Sequence, residues 1–252
     1  MYLLKVFWAI PLVVLLFAVS FIVGFLPALI LRVLGAKKLS DEIVKFHGAF
    51  ISDVALVFFG CKVHIQGDLQ GLKKLTSSGQ RVCLVANHTS MLDIPIVLGS
   101  LCVPCGFITK QTFKFFPVFN VICYAMRCVF IDRKNTKRGV QAIKAGVENI
   151  KKGHTMLIFP EGHRSKTGEI NPFLRGAFRL ASMSEAAIVP IVIKGARRAL
   201  EDKKHPFSGS ECYVQIGELY ETKGLDRFQM SEVIDKVEYY IQSEYHAMKG
   251  DV

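Results

Sequence analysis

His88 and Asp93 are the two residues whose types and spacing most clearly suggest chemistry. They lie five positions apart, between the apolar runs of residues 82–86 and 94–98. An imidazole can accept a proton from a hydroxyl near neutral pH, and a carboxylate on its other nitrogen fixes the tautomer and stabilises the imidazolium. On a regular helix such residues diverge by roughly 140°, so the side chains can meet only if the chain bends between them. Alternatively, His88 ends a strand and Asp93 caps the following helix.

A second polar segment, residues 159–168, also follows a predicted strand and is typical of an anion site. One proline and two glycines permit a tight turn that exposes backbone N–H groups. Arg164 offers a planar fork of donors suited to a phosphate. Glu161 could hydrogen-bond a hydroxyl or hold Arg164 in place. The alternative interpretation is an ordinary polar turn whose cations are solvated.

Two further cations follow predicted strands and are weaker candidates for the same anion. Arg133 comes after residues 128–131, and Asp132 could orient it, although a surface ion pair explains these charges equally well. Lys110 comes after residues 105–109, a position where lysine is more often solvated surface. Both residues are therefore interpreted as secondary contacts.

Composition excludes several classes of protein. No set of His, Cys, Asp and Glu has the spacing of a metal site, and there is no Gly-x-Ser-x-Gly nucleophile motif. The seven cysteines form no regular framework and fit core packing in a reducing compartment. A net charge of +11 with 51% hydrophobic residues favours an anionic membrane surface. Nucleic acid is disfavoured because RNP-like, zinc-finger and basic-zipper patterns are absent from the sequence.

The amino-terminal segment is predicted to associate with a membrane. Between Lys5 and Arg32 the chain carries no charge, and this run exceeds the roughly 20 apolar residues that cross a bilayer. Its apolar core is too long for a secretory signal, and it lacks a convincing cleavage site. Pro11 and Pro27 allow a kinked or re-entrant path.

A second apolar segment, residues 43–59, follows a helix start predicted at Ser40. Residues 1–60 are therefore interpreted as a membrane-associated two-helix segment. The two helices could lie side by side in one leaflet, or one could span the bilayer while the other lies at the interface. If the first spans, the basic residues after it predict that the body lies at the cytoplasmic face.

Residues 61–252 alternate short strands with helices, which predicts an α/β fold with a central, mostly parallel or mixed sheet flanked by helices. The clearest helix follows Asn135, with apolar residues at helical spacing up to a stop at Gly153. A last helix is predicted from about Phe228 to Met248. The candidate strands are residues 62–66, 82–86, 105–109, 128–131, 155–159, 187–193 and 211–216. Proline in the sixth, Pro190, indicates an edge, a bulge or a strand start.

Together these clusters resemble the glycerolipid acyltransferases, most closely the bacterial 1-acyl-sn-glycerol-3-phosphate acyltransferases. Residues 87–93 match the family's Asn-His-x-x-x-x-Asp motif. Residues 127–133, 159–165 and 189–191 resemble its second, third and fourth blocks, in the same order and with similar spacing. The chain departs from the usual pattern at His163, where the family commonly has threonine.

The resemblance implies a role for each matching residue. His88 would be the general base and Asp93 would orient it. Glu161, Gly162 and Arg164 would hold the glycerol phosphate. The weaker candidates for this charge are Arg133 and Lys110. The resemblance also implies an α/β acyltransferase domain over residues 61–252 and a membrane-embedded amino-terminal element, in the inner membrane if the chain is bacterial.

The expected reaction moves a fatty acyl group from a thioester, acyl-CoA or acyl carrier protein, to the sn-2 hydroxyl of lysophosphatidic acid. No cofactor beyond the thioester and no metal are expected, and the partners are lysophosphatidic acid, the acyl donor and membrane lipids. Two alternatives remain open. The acceptor could be glycerol 3-phosphate or another lysophospholipid, or the chain could be a membrane-anchored lipid-binding protein without catalysis. The donor type, the chain length and the oxyanion donors do not follow from the sequence.

Overall fold

The fold is built on one seven-stranded sheet in the order β1-β7-β6-β2-β5-β3-β4. The computed structural model describes residues 2–132, 135–201 and 209–248. The strands are β1 Cys61–Gln66, β2 Val82–Ala86, β3 Gly106–Lys110, β4 Val129–Ile131, β5 Met156–Ile158, β6 Ala187–Lys194 and β7 Ser210–Ile216. Each overlaps one of the seven predicted strands, so the α/β fold with a central mixed sheet is confirmed.

Strand direction places the polar turns on one edge of the sheet. β2 pairs in parallel with both β5 and β6, and β3 pairs in parallel with β5 and β4. Among the described strands, β6 and β7 form the antiparallel pair. Because parallel strands present their carboxyl ends together, the residues that follow β2, β5, β3 and β4 lie at the same carboxyl-terminal end of the sheet.

Helices cover both faces of the sheet, and the strands alternate side chains between two apolar clusters. All five residues of β2 are buried, as expected for a central strand of a covered parallel sheet. The helices of the body are α4 Leu69–Ser77, α5 Asp93–Pro95, α6 Pro117–Ala125, α7 Thr136–Lys151, α8 Arg179–Ser184, α9 Ala196–Leu200 and α10 Arg227–Ala247; they follow the amino-terminal α1 Tyr2–Ser20, α2 Leu26–Val33 and α3 Lys37–Phe58.

Pro190 lies inside a central strand, where a missing N–H would normally leave the ladder unpaired. The antiparallel partners of β6 shift by one residue around it, from Ile191 with Ile216 to Ile188 with Tyr220. Gly217 N donates to Pro190 O at 2.9 Å inside this bulge. The bulge was one of the three predicted settings, and it lets proline occupy an interior strand.

The amino-terminal segment contains two helical arms. Helices α1 and α2 are joined by a π-helical turn, Phe21–Phe25, in which Leu26 N bonds Phe21 O. Pro27 follows at once; it has no N–H to donate, and the irregular turn precedes it. Pro11 is contained within α1.

Helix α3 runs back along this first arm and begins earlier than predicted. It starts at Lys37 rather than Ser40, because Gly35, with a φ of 89°, reverses the chain just before it. Among the described residues one helix, Ile10–Val33, is long and apolar enough to cross a membrane, with a mean hydropathy of 2.8. Most of that window is exposed, so the first arm presents an apolar surface.

Candidate active site

His88 and Asp93 meet at the carboxyl end of β2. The Nδ1 atom of His88 and Oδ2 of Asp93 are 2.8 Å apart. Asp93 is fully buried, whereas the His88 side chain keeps 16% of its surface exposed. The bend that the spacing requires is therefore present, and one nitrogen of the imidazole faces a carboxylate.

The bend is held by the carboxylate itself. Oδ2 of Asp93 also accepts hydrogen bonds from the backbone N–H groups of Thr89 and Ser90, both at 2.8 Å. Burial raises the pKa of Asp93, and the bonds to His88 and to these two N–H groups oppose that rise. Asp93 thus shapes the turn and fixes His88 with the same oxygen.

Asn87 anchors the beginning of the turn to the sheet. Its side-chain amide donates to Ile193 O at 2.7 Å, and its side-chain oxygen accepts from Ile193 N at 2.8 Å. Both groups are buried and bond the backbone of β6. The Asn87 side chain therefore continues the hydrogen-bond ladder between β2 and β6 beyond the end of β2. The position of His88 follows from this anchor.

The imidazole of His88 is restricted on one face. It stacks on the ring of Phe159 with the centroids 4.0 Å apart and an interplanar angle of 18°. With Nδ1 donating to Asp93, Nε2 is the acceptor of the neutral ring. Nε2 makes no hydrogen bond to the described residues, and it is the atom that can take a proton from a ligand.

The carboxylate of Glu161 accepts hydrogen bonds from the backbone around His88. Its Oε1 accepts from His88 N at 2.5 Å, and its Oε2 accepts from Asn171 N at 2.8 Å and from Asn171 Nδ2 at 2.9 Å. The residue is only 2% exposed, and burial raises its pKa against the opposing effect of these donors. The expectation that Glu161 contacts a glycerol phosphate does not fit this arrangement, because both oxygens are engaged away from solvent.

Glu201, a residue that the sequence did not suggest, links Arg164 to the turn that holds His88 and Asp93. Nη1 of Arg164 lies 3.0 Å from Oε1 of Glu201. Glu201 also accepts from Met91 N at 2.8 Å and from Ser90 Oγ at 2.7 Å. The carboxylate therefore joins the tip of the turn to the guanidinium of Arg164, whose side chain stays 44% exposed.

The other predicted site residues are arranged less closely. Gly162 has a φ of 77°, and an added Cβ would meet Leu174 Cδ1 at 2.8 Å, so glycine is needed in this turn. Lys110 is exposed at the end of β3, on the same edge of the sheet, without a described contact to His88 or Arg164. Arg133 lies outside the described residues.

Potential metal ligands and cysteines are spread through the described part of the chain. It contains no group of three or more His, Cys, Asp or Glu residues that could hold a metal ion. All seven cysteines are free, and burial raises the pKa of Cys105 to about 12. The arrangement that can act on a ligand is an imidazole base with a cation beside it.

Comparison with known proteins gives a consistent result. The family model described as Acyltransferase matches residues 62–194. The chain is 35% identical to the chloroplastic 1-acyl-sn-glycerol-3-phosphate acyltransferase BAT2 of Brassica napus over 60% of this chain and 42% of that protein. It is 32% identical to the 1-acyl-sn-glycerol-3-phosphate acyltransferase of Saccharomyces cerevisiae over 61% of this chain and 52% of that protein.

Two further similarities extend over more of the chain. The human 1-acyl-sn-glycerol-3-phosphate acyltransferase alpha is 28% identical over 68% of this chain and 61% of its own length. The aligned part of the chain thus spans about half the length of these curated relatives. The crystal structure of the 1-acyl-sn-glycerophosphate acyltransferase PlsC from Thermotoga maritima superposes with a TM-score of 0.77, covering 100% of this chain and 99% of that one at 20% identity.

Proposed function

The chain belongs to the acyltransferase family, and on that premise we propose that it acylates the sn-2 hydroxyl of 1-acyl-sn-glycerol 3-phosphate to make phosphatidic acid. The acyl group would come from a thioester, acyl-CoA or acyl carrier protein. The observation that carries the proposal is the 2.8 Å pairing of His88 with buried Asp93. The link from their turn to Arg164 supports the choice of a phosphorylated acceptor.

His88 acts as the general base. Its Nε2 takes the proton of the sn-2 hydroxyl as that oxygen attacks the thioester carbonyl carbon. Asp93 keeps the Nδ1–H tautomer and stabilises the imidazolium, because its carboxylate faces Nδ1. The C–S bond then breaks, the ester remains on the glycerol oxygen, and the thiolate takes the proton back from His88.

The reaction needs no acyl-enzyme and no cofactor besides the thioester, because the attacking oxygen belongs to the acceptor. Holding hydroxyl and thioester together in one geometry can lower the barrier by several kcal/mol. Arg164 is the cation for the acceptor phosphate, since much of it stays exposed while one nitrogen is held by Glu201. Glu161 is a positioning residue for the backbone of His88.

The apolar first arm, α1 and α2, attaches the protein to the bilayer in which lysolipid and product reside. Its exposed face and the length of the Ile10–Val33 helix support this attachment. The basic residues that follow it, Arg32, Lys37 and Lys38, support a body on the cytoplasmic side.

Replacing His88 with alanine tests the proposal. The variant His88→Ala should lose two to four orders of magnitude in turnover, about the range attributed to general base catalysis. The measurement is thiol release with lysophosphatidic acid and each donor type in turn, alongside glycerol 3-phosphate and other lysophospholipids as acceptors. His64→Ala is a matched control, because His64 pairs with Glu211 at 2.5 Å and lies on the edge strand β1, three strands from β2. Equal turnover in the two variants would remove His88 from the mechanism.

A further inference from the structure

A cavity of about 560 Å³ lies beside β4, the outermost strand on one side of the sheet. Its walls are α7 on one side and residues 111–124 on the other, and Arg32 closes it from the end of α2. Neither His88 nor Arg164 lines it. β4 is three strands from β2 in the sheet, a separation of about 14 Å at the usual strand spacing. The cavity is therefore separate from the candidate active site.

The cavity carries an excess of positive charge. Four cationic side chains line it: Arg32, Lys114, Arg127 and Arg138. Arg32 and Arg127 both bond the same oxygen, Oδ1 of Asp41, at 3.0 and 2.6 Å. A single carboxylate therefore serves two guanidinium groups, and the Nε of Arg32 is buried without a hydrogen-bond partner among the described residues.

The remaining charges do not balance this excess. Arg138 lies 3.3 Å from Asp132, and the Lys114 ammonium has no carboxylate partner among the described ion pairs. Among the described lining residues, four cations and one carboxylate, Asp132, face the cavity, and Asp41 bonds two of these cations from outside it. Clustered cations repel one another, and a bound anion relieves that repulsion. An anion with several acceptor oxygens, such as a phosphate, can also accept hydrogen bonds from these donors.

The cavity also adjoins the carboxyl end of the apolar amino-terminal helix. Arg32 comes at the end of the apolar Ile10–Val33 helix, and its Nη1 bonds Tyr124 O at 3.4 Å. The wall formed by residues 111–124 projects apolar side chains toward solvent: Phe113, Phe115, Phe116, Val118 and Phe119. Exposed apolar side chains, here mostly Phe, next to cations are typical of a segment that inserts into the membrane interface.

We infer that this cavity binds the phosphate headgroup of an anionic phospholipid from the surrounding bilayer. The phosphate contacts Lys114, Arg127 and Arg138, while the acyl chains lie against the exposed aromatic wall. The inference rests on the proposed membrane attachment and is independent of acyl transfer. The headgroup is favoured over a phosphate of the acyl donor because the cavity opens beside the membrane helix, away from His88.

The test measures binding of dioctanoyl phosphatidylglycerol to the full chain in neutral detergent, by native mass spectrometry and thermal shift, with no acyl donor present. The double variant Lys114→Gln/Arg138→Gln should weaken binding about 25-fold, since each cation near an anionic lipid contributes about fivefold. The control Lys223→Gln/Lys236→Gln removes the same charge from exposed positions outside the cavity and should bind like the parent chain.

Other ligands distinguish the source of the phosphate. Dioctanoyl phosphatidylcholine and inorganic phosphate should bind at least tenfold more weakly than the anionic lipid, and His88→Ala should bind it unchanged even though its turnover is lost. Equal weakening by the control pair, or loss of binding in Arg164→Ala alone, would overturn the inference. If coenzyme A bound tightly to the parent chain and lost its binding only in the cavity variant, the cavity would be a site for the acyl donor. That result would equally overturn the inference.

Discussion

Three carboxylates, from Asp93, Glu161 and Glu201, surround His88 and accept hydrogen bonds from backbone N–H groups. Asp93 holds two N–H groups of its own turn, Glu161 holds those of His88 and Asn171, and Glu201 holds that of Met91. A loop that leaves a sheet exposes such donors, and leaving a buried donor unpaired costs about 1–3 kcal/mol each. The acidic residues around this base therefore stabilise the shape of the site.

Replacements of Glu201 distinguish the effect of its hydrogen bonds on the shape of the site from the effect of its negative charge. Glu201→Ala removes three hydrogen bonds, and catalytic efficiency with lysophosphatidic acid should fall roughly 10- to 100-fold, from about 1.5–3 kcal/mol of lost charged hydrogen bonding. Glu201→Gln can still accept from Met91 and Arg164 and can donate to Ser90 Oγ, so kcat should stay within about threefold of the parent. Steady-state kinetics of both variants provide the measurement.

Two comparisons make this prediction specific to positioning. The Ala variant should lose more activity with lysophosphatidic acid than with an unphosphorylated monoacylglycerol, because the proposed role of Arg164 is to bind the phosphate that only lysophosphatidic acid carries. Glu185→Gln, in a similar ion pair with Arg81, is the control and should be unaffected. If the glutamine variant were as impaired as the alanine variant, the geometric role of Glu201 would be wrong.

At the scale of elements, the sequence predicted which segments form strands but not how they pair. Apolar runs that end in glycine, proline or charge located all seven strands, because these signals are local. The pairing of β1 with β7 joins Cys61 to Ser210, and only the folded core selects a partner so distant along the chain. Glu201 was missed for the same reason, since it meets Ser90 across 111 positions.

Packing between the two amino-terminal arms depends on Gly24 in the π-helical turn. A Cβ added there would lie 2.3 Å from Cγ of His47 in α3, too close for any real contact. Gly24→Ala should therefore separate the arms and lower the free energy of unfolding by about 1–3 kcal/mol, as overpacking does. Thermal unfolding in detergent is the measurement.

Gly176 is the matched control for this substitution. A Cβ added at Gly176 meets nothing within 4 Å, so Gly176→Ala should leave the midpoint unchanged or raise it slightly. The bond from Ser20 Oγ to His47 Nδ1, 2.7 Å long, is the contact that the Gly24 variant disrupts. An unshifted midpoint in Gly24→Ala would mean that the arms do not pack in this way.

At the scale of the whole molecule, one half-buried histidine, His154, should make the stability of the fold depend on pH. Burial, together with Arg127, lowers the pKa of His154 from 6.5 to about 4. The folded chain therefore keeps this imidazole neutral while the unfolded chain protonates it below about pH 6.5. Stability should fall as the pH decreases from about 6.5 to about 4.

Thermal unfolding midpoints across this pH range provide the measurement. His154→Gln should flatten the decline, because glutamine has no proton to gain, whereas the exposed control His246→Gln should retain the slope of the parent chain. A slope that is identical in all three proteins would exclude His154 as the source.

The stacking of Phe159 on His88 has a stereochemical consequence. The stack fixes the plane of the ring, and because the Nε2 lone pair lies in that plane, a hydroxyl can meet Nε2 from one direction only, while Glu201 holds Arg164 in place. A lysolipid bound as proposed also has its acyl chain directed toward the bilayer, so three points fix the handedness of the glycerol carbon. The enantiomer cannot satisfy all three together, and a racemic acceptor should be consumed only to half.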